Sequence, residues 1–402
     1  MSEVGLKLKK LGELVEIHNN KRIPLSSKER ANLSKIYPYY GAQGIVDYVD
    51  NYIFDGKNIL IAEDGENLKS NNKSICTLAT GKYWVNNHAH IVRANNENDT
   101  DYLFYKLNSI SFLPYITGSA QPKLNKENLL NIPVYVHEKA EQKNISKLLS
   151  KIDQKIALNN QINEELEAMA KTLYDYWFVQ FDFPDQNGKP YKSSGGKMVY
   201  HPELKREIPE GWGVDSLWNI ATFYNGLAMQ KFRPASETDE SLPVIKIREM
   251  FSGFSKDTEK ASTAIPKEAI IEAGDILFSW SATLEVILWG GEKGALNQHI
   301  FKVTSEKYPK SFIYNELRSY LKVFKTIAEL RKTTMGHITQ DHLKQAMIIV
   351  PPNDLIDEIH NRISPILKQQ LDLKQQNQEL TQLRDWLLPM LMNGQVKVED
   401  KT

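Results

Sequence analysis

Cysteine is almost absent from this chain. Cys76 is the only one, which excludes an intrachain disulfide and any zinc site built on two or more thiolates, and points to an intracellular, cytoplasmic protein. Net charge is missing too. Fifty Lys and Arg balance fifty Asp and Glu, so the global electropositive footprint of many nucleic-acid binders is not there, and any contact with a polyanion must come from local clusters. No window approaches 18 uncharged apolar residues, and the opening MSEVGLKLKKLGELVEI is charged every few positions. Neither a membrane span nor an export signal is expected. Also absent are a GK[ST] phosphate loop, a GxGxxG turn and a GxSxG elbow, so the chain is expected to have no catalytic centre of its own. His88 and His90 alternate in NHAH without a nearby Cys or HExxH. That pattern belongs to hydrogen-bonded structure, and no metal site is expected.

Glycine and proline are missing from Glu138 to Phe178, and this absence announces a long helix. With Ile145 at heptad position a, the other a positions are Ile152, Asn159, Leu166 and Leu173, with Leu148, Ile162 and Met169 at d. This is a coiled-coil seam with a polar interruption at Lys155 and Asn159. Residues 161–173, QINEELEAMAKTL, reappear 214 positions later as QQNQELTQLRDWL. Shifting the seam by the same 214 puts Ile359, Ile366, Leu373, Leu380 and Leu387 at a. Pro365 and Pro389 predict a kink or a late start in that second helix.

What precedes each helix is short, β-branched and aromatic. NILIA (58–62), YWVNNHAHIVR (83–93) and NIPVYV (131–136) are expected strands of the first half, with a short helix near 101–110. GDILFSWS (274–281), LNQHIFKV (296–303) and AMIIVPP (346–352) are their equivalents in the second, with a helix near 310–331. Further matches run in the same order. Leu11-Gly12-Glu13-Leu14 answers Leu217-Trp218-Asn219-Ile220, and Asn86-Asn87-His88 answers Asn297-Gln298-His299. GSAQPKLNKENL (118–129) answers KTTMGHITQDHL (332–343). The chain therefore reads as an internal duplication of the α+β class: two tandem α/β units with a pair of long helices able to pair antiparallel. The segments are a first unit at 1–137, a helix at 138–180, a linker at 181–206, a second unit at 207–354, a helix at 355–393 and a tail at 394–402. Two readers held at a fixed distance suit a split DNA site, whose halves lie roughly one helical turn apart.

PYYGAQGIVDYVDNYIFDG (38–56), ILIAEDGENL (59–68), WVNNHAHIVR (84–93), GSAQPKLNKENLLNIPV (118–134), the helix 141–178 and PEGWGVDSL (209–217) carry a further signal. In this ordered set the whole chain resembles the specificity subunit of type I restriction-modification enzymes. That resemblance implies a non-catalytic protein with two target-recognition domains reading an asymmetric bipartite site in double-stranded DNA. It also implies two adenine methyltransferase subunits and translocase-nuclease subunits as partners, with S-adenosylmethionine, ATP and magnesium held by those partners and no membrane involved. Val350-Pro351-Pro352-Asn353 lacks both flanks of the methyltransferase tetrad. A non-reading scaffold that tethers other proteins through its helices is the rival expectation.

Candidate DNA contacts follow from side-chain chemistry. Gln121 and Lys123 lie in a Gly/Pro-fixed phrase and suit an adenine edge and a phosphate or guanine. Asn125 capping a helix that starts at Lys126 is the structural alternative there. Thr334 and His337 are the counterparts in the second half. Tyr40 precedes Gly41 and Gln43 precedes Gly44, two glycines that permit close backbone approach. At the equivalent place Lys246 and Arg248 are expected to alternate on one strand face. Lys21, Arg22, Lys231 and Arg233 are basic pairs suited to phosphates or to plain surface charge. Ile145, Ile152, Leu166, Leu173, Ile366, Leu373, Leu380 and Leu387 are expected at the helix pair. Trp177, within Tyr174-Asp175-Tyr176-Trp177-Phe178, is expected against the partner helix or a partner subunit.

Overall fold

A computed structural model describes residues 5–65, 68, 75–118, 122–330 and 337–399. The chain divides into two compact units, one formed by 1–156 with 380–402 and the other by 157–379.

The first unit begins with β1 (Lys7–Lys10), β2 (Val15–Ile17), α1 (Ser27–Ala31), β3 (Tyr37–Gly41), β4 (Gly44–Val49), β5 (Phe54–Asp55) and β6 (Asn58–Ala62). It continues with β7 (Cys76–Ala79), β8 (Lys82–Val85), β9 (Ala89–Ala94), α2 (Thr100–Asn108), α3 (Lys126–Leu130), β10 (Pro133–Val136) and the start of α4 (Lys139–Tyr174). Two four-stranded sheets result, ordered β2-β9-β6-β7 and β4-β3-β8-β5, beside the pair β1-β10. All five residues of β6 are buried: Ile59 and Ile61 enter one core and Leu60 another, while Asn58 donates to the Tyr83 hydroxyl. One face packs with Tyr102, Leu103 and Leu107 of α2 and with Ile145 and Leu149 of α4.

The second unit opens on the end of α4 and a π turn, Asp175–Val179. It then holds β11 (Met198–His201), β12 (Arg206–Pro209), β13 (Gly213–Ser216), α5 (Leu217–Ile220), β14 (Thr222–Asn225), β15 (Ser241–Ile245), α6 (Ile247–Ser252), β16 (Lys260–Ser262) and β17 (Ile270–Ile271). β18 (Ile276–Ser279), β19 (Glu285–Leu288), β20 (Gly294–Leu296), β21 (Ile300–Thr304), α7 (Lys310–Leu330), α8 (Gln340–Gln345), β22 (Met347–Val350) and the start of α9 (Asn353–Met392), whose end from Leu380 belongs to the first unit, complete it. Its sheets run β14-β21-β18-β19 and β16-β15-β20-β17, with β13 on β22. This is the first unit's topology strand for strand, down to the single parallel pair in the second sheet, β3 with β8 in one unit and β15 with β20 in the other. The duplication is therefore architectural. α3 and α8, β10 and β22, α4 and α9 all start 214 residues apart.

The long helices depart from the expected seam in instructive ways. In the first unit Ile145, Leu149 and Ile152 are buried, with Leu391 and Met392 of α9 beside the first two. Leu149, not Leu148, takes the inward position. In the second unit Met169, expected at d, is 58% exposed, and Ala170 and Tyr174 face the core instead. On the part of α9 that belongs to the second unit the buried residues are Ile356, Ile359, Ile363, Leu367 and Gln370. That spacing is the 3.6-residue face of a helix packed on a globular core, so the strict 3.5 repeat drifts off it. Ile366 and Leu373 are half-buried, as are Leu166 and Leu173 on α4 and Leu380 and Leu387 on α9 in the first unit. No late start occurs at Pro365. α9 begins at Asn353 and is helical past both prolines. Within the second unit the pairing of the helices is antiparallel: Asn159 donates to Gln376 and Asn377, and Gln370 donates to the Asn163 carbonyl. The polar interruption is thus a hydrogen-bonded layer, of the kind that fixes register at some cost in stability.

Residues 181–206, expected as a linker, are folded into the second unit. Phe181 and Phe183 are buried with Trp177, Phe178 and Trp212, and Phe183 packs on Trp212 at 5.0 Å between ring centres. Trp177 is buried here too, with the Arg362 guanidinium of α9 5.2 Å above its ring. Among the described residues no helix is long and apolar enough to cross a membrane.

Candidate nucleic-acid interface

In each unit one loop cluster gathers side chains from distant parts of the chain. In the first it lies where β6 leaves the sheet. Glu63 N–H donates to the His88 carbonyl at 2.9 Å, and the Glu63 carbonyl accepts from Leu124 N–H at 2.8 Å. Lys123 exchanges two backbone bonds with Thr117, at 2.8 and 2.9 Å. Lys123 and Leu124 are thereby docked onto the strand exit, and Asn125 caps α3 by accepting from Asn128 N–H.

The Glu63 side chain organises what surrounds it. Its carboxylate accepts from Arg22 Nη1 at 2.6 Å, lies 3.4 Å from Lys123 Nζ and 3.8 Å from His90 Nδ1. Burial alone would raise the Glu63 carboxyl, but the Arg22 hydrogen bond and the cations around it hold it below the ordinary carboxylate value. His90 is buried, bonded to Asn19 Nδ2 at 2.8 Å and to the Leu124 carbonyl at 2.7 Å. Burial lowers its pKa, which keeps the ring neutral. His88 bonds Asp64 at 2.8 Å. Both histidines are hydrogen-bonded structure, and among the described residues no group of three or more His, Cys, Asp or Glu suits a metal.

The sequence-predicted contacts separate on this geometry. Lys21 is exposed at the end of a 3-10 turn, Asn19–Lys21, as is Lys231 at the end of Met229–Lys231. Arg22 is not a free cation. Besides Glu63 it donates to the carbonyls of Asn19, Asn87 and Ala89, and its side chain is only 18% exposed. Tyr40 is buried against Tyr83, 5.5 Å between ring centres, whereas Gln43 is exposed at the tip of the β3–β4 hairpin beside Gly44 at φ +96°. Lys123 is exposed although near Glu63. Lys246 and Arg248 do not alternate on a strand. Lys246 is the N-cap of α6 and pairs with Glu259 at 2.5 Å, while Arg248 pairs with the buried Glu249 at 2.6 Å. At the start of this helix Glu249 reaches back to accept from the Lys246 N–H, half of a capping box that strand periodicity does not reveal. Arg233 is exposed, near Glu259 and Lys260. Gln121 and Thr334 lie outside the described residues.

The second unit repeats the docking with different side chains. Trp280 N–H donates to the His299 carbonyl at 3.3 Å and the Trp280 carbonyl accepts from Ile338 N–H at 2.9 Å. The isolated bridge between Ser281 and His337 answers that between Asp64 and Lys123. Trp280 therefore stands where Glu63 stands, Ser281 for Asp64, and His337 for Lys123. Trp280 is 5.7 Å from the His299 ring, 5.7 Å from His337 and 5.8 Å from Phe301, and its Nε1–H donates to Asn225 Oδ1 at 2.9 Å. His337 was visible in the sequence as a counterpart of the 118–125 phrase; Trp280 was not singled out. Setting ILIAED over ILFSWS in register would have found it.

Comparison with known proteins bears on both units. The model of the type I restriction modification DNA specificity domain matches residues 3–168 and again 209–382. The MjaIX specificity subunit of Methanocaldococcus jannaschii is 24% identical over 317 residues, 75% of this chain and 70% of that protein. A putative type I restriction enzyme specificity subunit of Haemophilus influenzae is 39% identical over 141 residues, 35% of this chain and 36% of that protein. The crystal structure of a type I restriction-modification S subunit from M. genitalium superposes with a TM-score of 0.62 at 15% identity, covering 100% of this chain and 98% of that one, which shows a shared fold. With two domain matches in tandem and the same strand order in each, the chain belongs to the family of type I restriction-modification specificity subunits.

Proposed function

We propose that the chain is the DNA-reading, non-catalytic subunit of a type I complex, that each unit reads one half of a bipartite target, and that adenine methyltransferase subunits act where it binds. One observation carries this reading: two units of one topology tie Leu124 and Ile338 to equivalent strand exits by the same backbone bonds and carry different side chains there. A shared frame with unlike surfaces is what recognition of two unlike half-sites requires, since phosphate contacts position a protein and base-edge contacts specify. Exposed Lys21, Gln43 and Lys123 in one unit, and Lys231, Arg233 and His337 in the other, are the contacts we assign to it.

Methyltransferase subunits would dock on the long helices, which expose Leu158 and Met169 in the second unit and Leu383 and Trp386 in the first. Translocase-nuclease subunits would join for restriction. S-adenosylmethionine, ATP and magnesium belong to those partners in this reading, and the compartment is the cytoplasm. Mapping methylated adenines across the host genome, with and without the gene for this chain, tests the proposal. A split motif that vanishes on deletion is expected. A map that keeps every motif, or loses only an unsplit one, contradicts it.

A further inference from the structure

The reader clusters of the two units are built on one scaffold and differ in kind. In the first unit the position below the docked loop holds Glu63, flanked by Asp64, and the nearby charges of Arg22 and Lys123 are partly neutralised by it. In the second the same backbone position holds Trp280, flanked by Ser281, and the rings around it are those of His299, His337 and Phe301. A carboxylate has been replaced by an indole, and a second carboxylate by a hydroxyl.

Trp280 is half-exposed, while His299 and His337 on either side of it are exposed. An exposed indole is ordinarily a mobile one, yet here the Nε1–H bond to Asn225 and the Phe301 ring on the adjacent strand hold its orientation. Its one strong donor is thus committed, so what it offers outward is apolar ring surface. The indole and the Ser281 hydroxyl stand where the first unit has two carboxylates, which removes the repulsion a polyanion would meet there. An oriented indole face where the first unit has a carboxylate suits the 5-methyl group of thymine in the major groove, the one base-edge feature read by apolar contact and not by a hydrogen bond.

We propose that Trp280, with His337 beside it, is a specificity-determining contact of the second unit that selects thymine in its half-site by ring-to-methyl contact. The inference rests on the reading of the chain as a split-site DNA reader. In the first unit the Glu63 carboxylate pairs with Arg22 and Lys123, and selection there falls to polar groups such as Gln43 and Lys123.

The test replaces the chromosomal gene with Trp280→Ala, Trp280→Phe and His337→Ala alleles and maps methylated adenines, with affinity of the purified full chain for the wild-type target measured in parallel. Trp280→Ala is expected to make one or two positions of one half-site degenerate and to leave the other half-site unchanged. The loss of affinity for the intact target is expected to be about tenfold, as for one mismatched base pair. Trp280→Phe keeps a ring and retains most of the preference. Replacing the selected thymine by uracil, which lacks only the methyl, weakens the wild-type chain by a similar factor and leaves Trp280→Ala indifferent.

Unchanged motifs in all three alleles overturn the assignment, as does a wild-type chain indifferent to uracil at every thymine of that half-site. If Trp280→Ala abolishes methylation by misfolding, the Trp280→Phe and His337→Ala maps and the uracil comparison decide. A wild-type map without any split motif defeats the functional reading and this inference together, whereas a split motif insensitive to Trp280 defeats this inference alone.

Discussion

Arg22 and Lys21 are adjacent in the chain and opposite in role. The Arg22 guanidinium ties the 19–22 turn, β9 and Glu63 together through four acceptors, and Glu63 in turn carries the loop that ends at Leu124. Removing it leaves a carboxylate that is 14% exposed without its main partner, and breaking a well-shielded pair by deleting one member is costly. Arg22→Ala is expected to destabilise the first unit by about 2–4 kcal/mol, read from denaturant unfolding. Lys21→Ala, at an exposed position, is expected to leave stability within about 0.5 kcal/mol and to lower the slope of log affinity for DNA against log salt by about one. A Lys21→Ala chain with an unaltered salt slope would remove this residue from the interface. Nothing in the pair of letters KR distinguishes the two, because the acceptor that commits Arg22 lies 41 residues away. The Asn125 cap, in contrast, was legible, since an N-cap is decided within four residues.

The junction of α4 with α7 brings an unusual acid into the second unit. The Tyr174 hydroxyl donates to Glu316, and burial pushes the Glu316 carboxyl from 4.5 up to about 7, against a smaller opposing effect of that hydrogen bond. Burial also raises the Tyr174 hydroxyl well above its ordinary value, so it stays protonated. Below pH 4.5 the carboxyl is protonated in folded and unfolded chains alike and its contribution is fully present. Between 4.5 and about 7 only the folded chain keeps the proton, so stability falls as pH rises through this window and levels off above it. Glu316→Gln, neutral at every pH, is expected to flatten this dependence: the difference in thermal midpoint between wild type and variant should shift in the variant's favour between pH 5 and pH 8. A difference that stays constant across that range would mean that Glu316 does not titrate near 7. Heptad periodicity could place α4 here but could not anticipate the acid. It follows apolar residues along one seam, whereas α4 changes neighbours along its length and after Ala170 meets a globular core of Tyr174, Trp177 and Phe178. Met169 and Leu148 were misplaced for that reason.

At the scale of the molecule, duplication was the most legible property, because it is recorded in spacing and needs no contact to be known in advance. α3 with α8, β10 with β22 and α4 with α9 keep one 214-residue offset, while the intervals before them vary as loops lengthen between conserved strands. What the sequence concealed is how completely the frame is kept beneath unlike residues: GIVDYV forms the β4 that β16, Lys-Ala-Ser, replaces, and a Glu63 cluster stands where a Trp280 cluster stands. Such a frame makes the two units exchangeable. Leu14 and Ile220 close equivalent turns, and Leu124 and Ile338 make equivalent bonds to the strand exit. Substituting residues 221–338 for residues 15–124 therefore joins matched ends, inside cores that already accept those ends. A chain with two copies of the second reader is expected to fold and to direct methylation to a motif whose two half-sites share one sequence, that of the wild-type half-site sensitive to Trp280. If the hybrid folds, as judged by a cooperative unfolding transition, yet still marks the wild-type asymmetric motif, selection of the first half-site would have to reside outside residues 15–124.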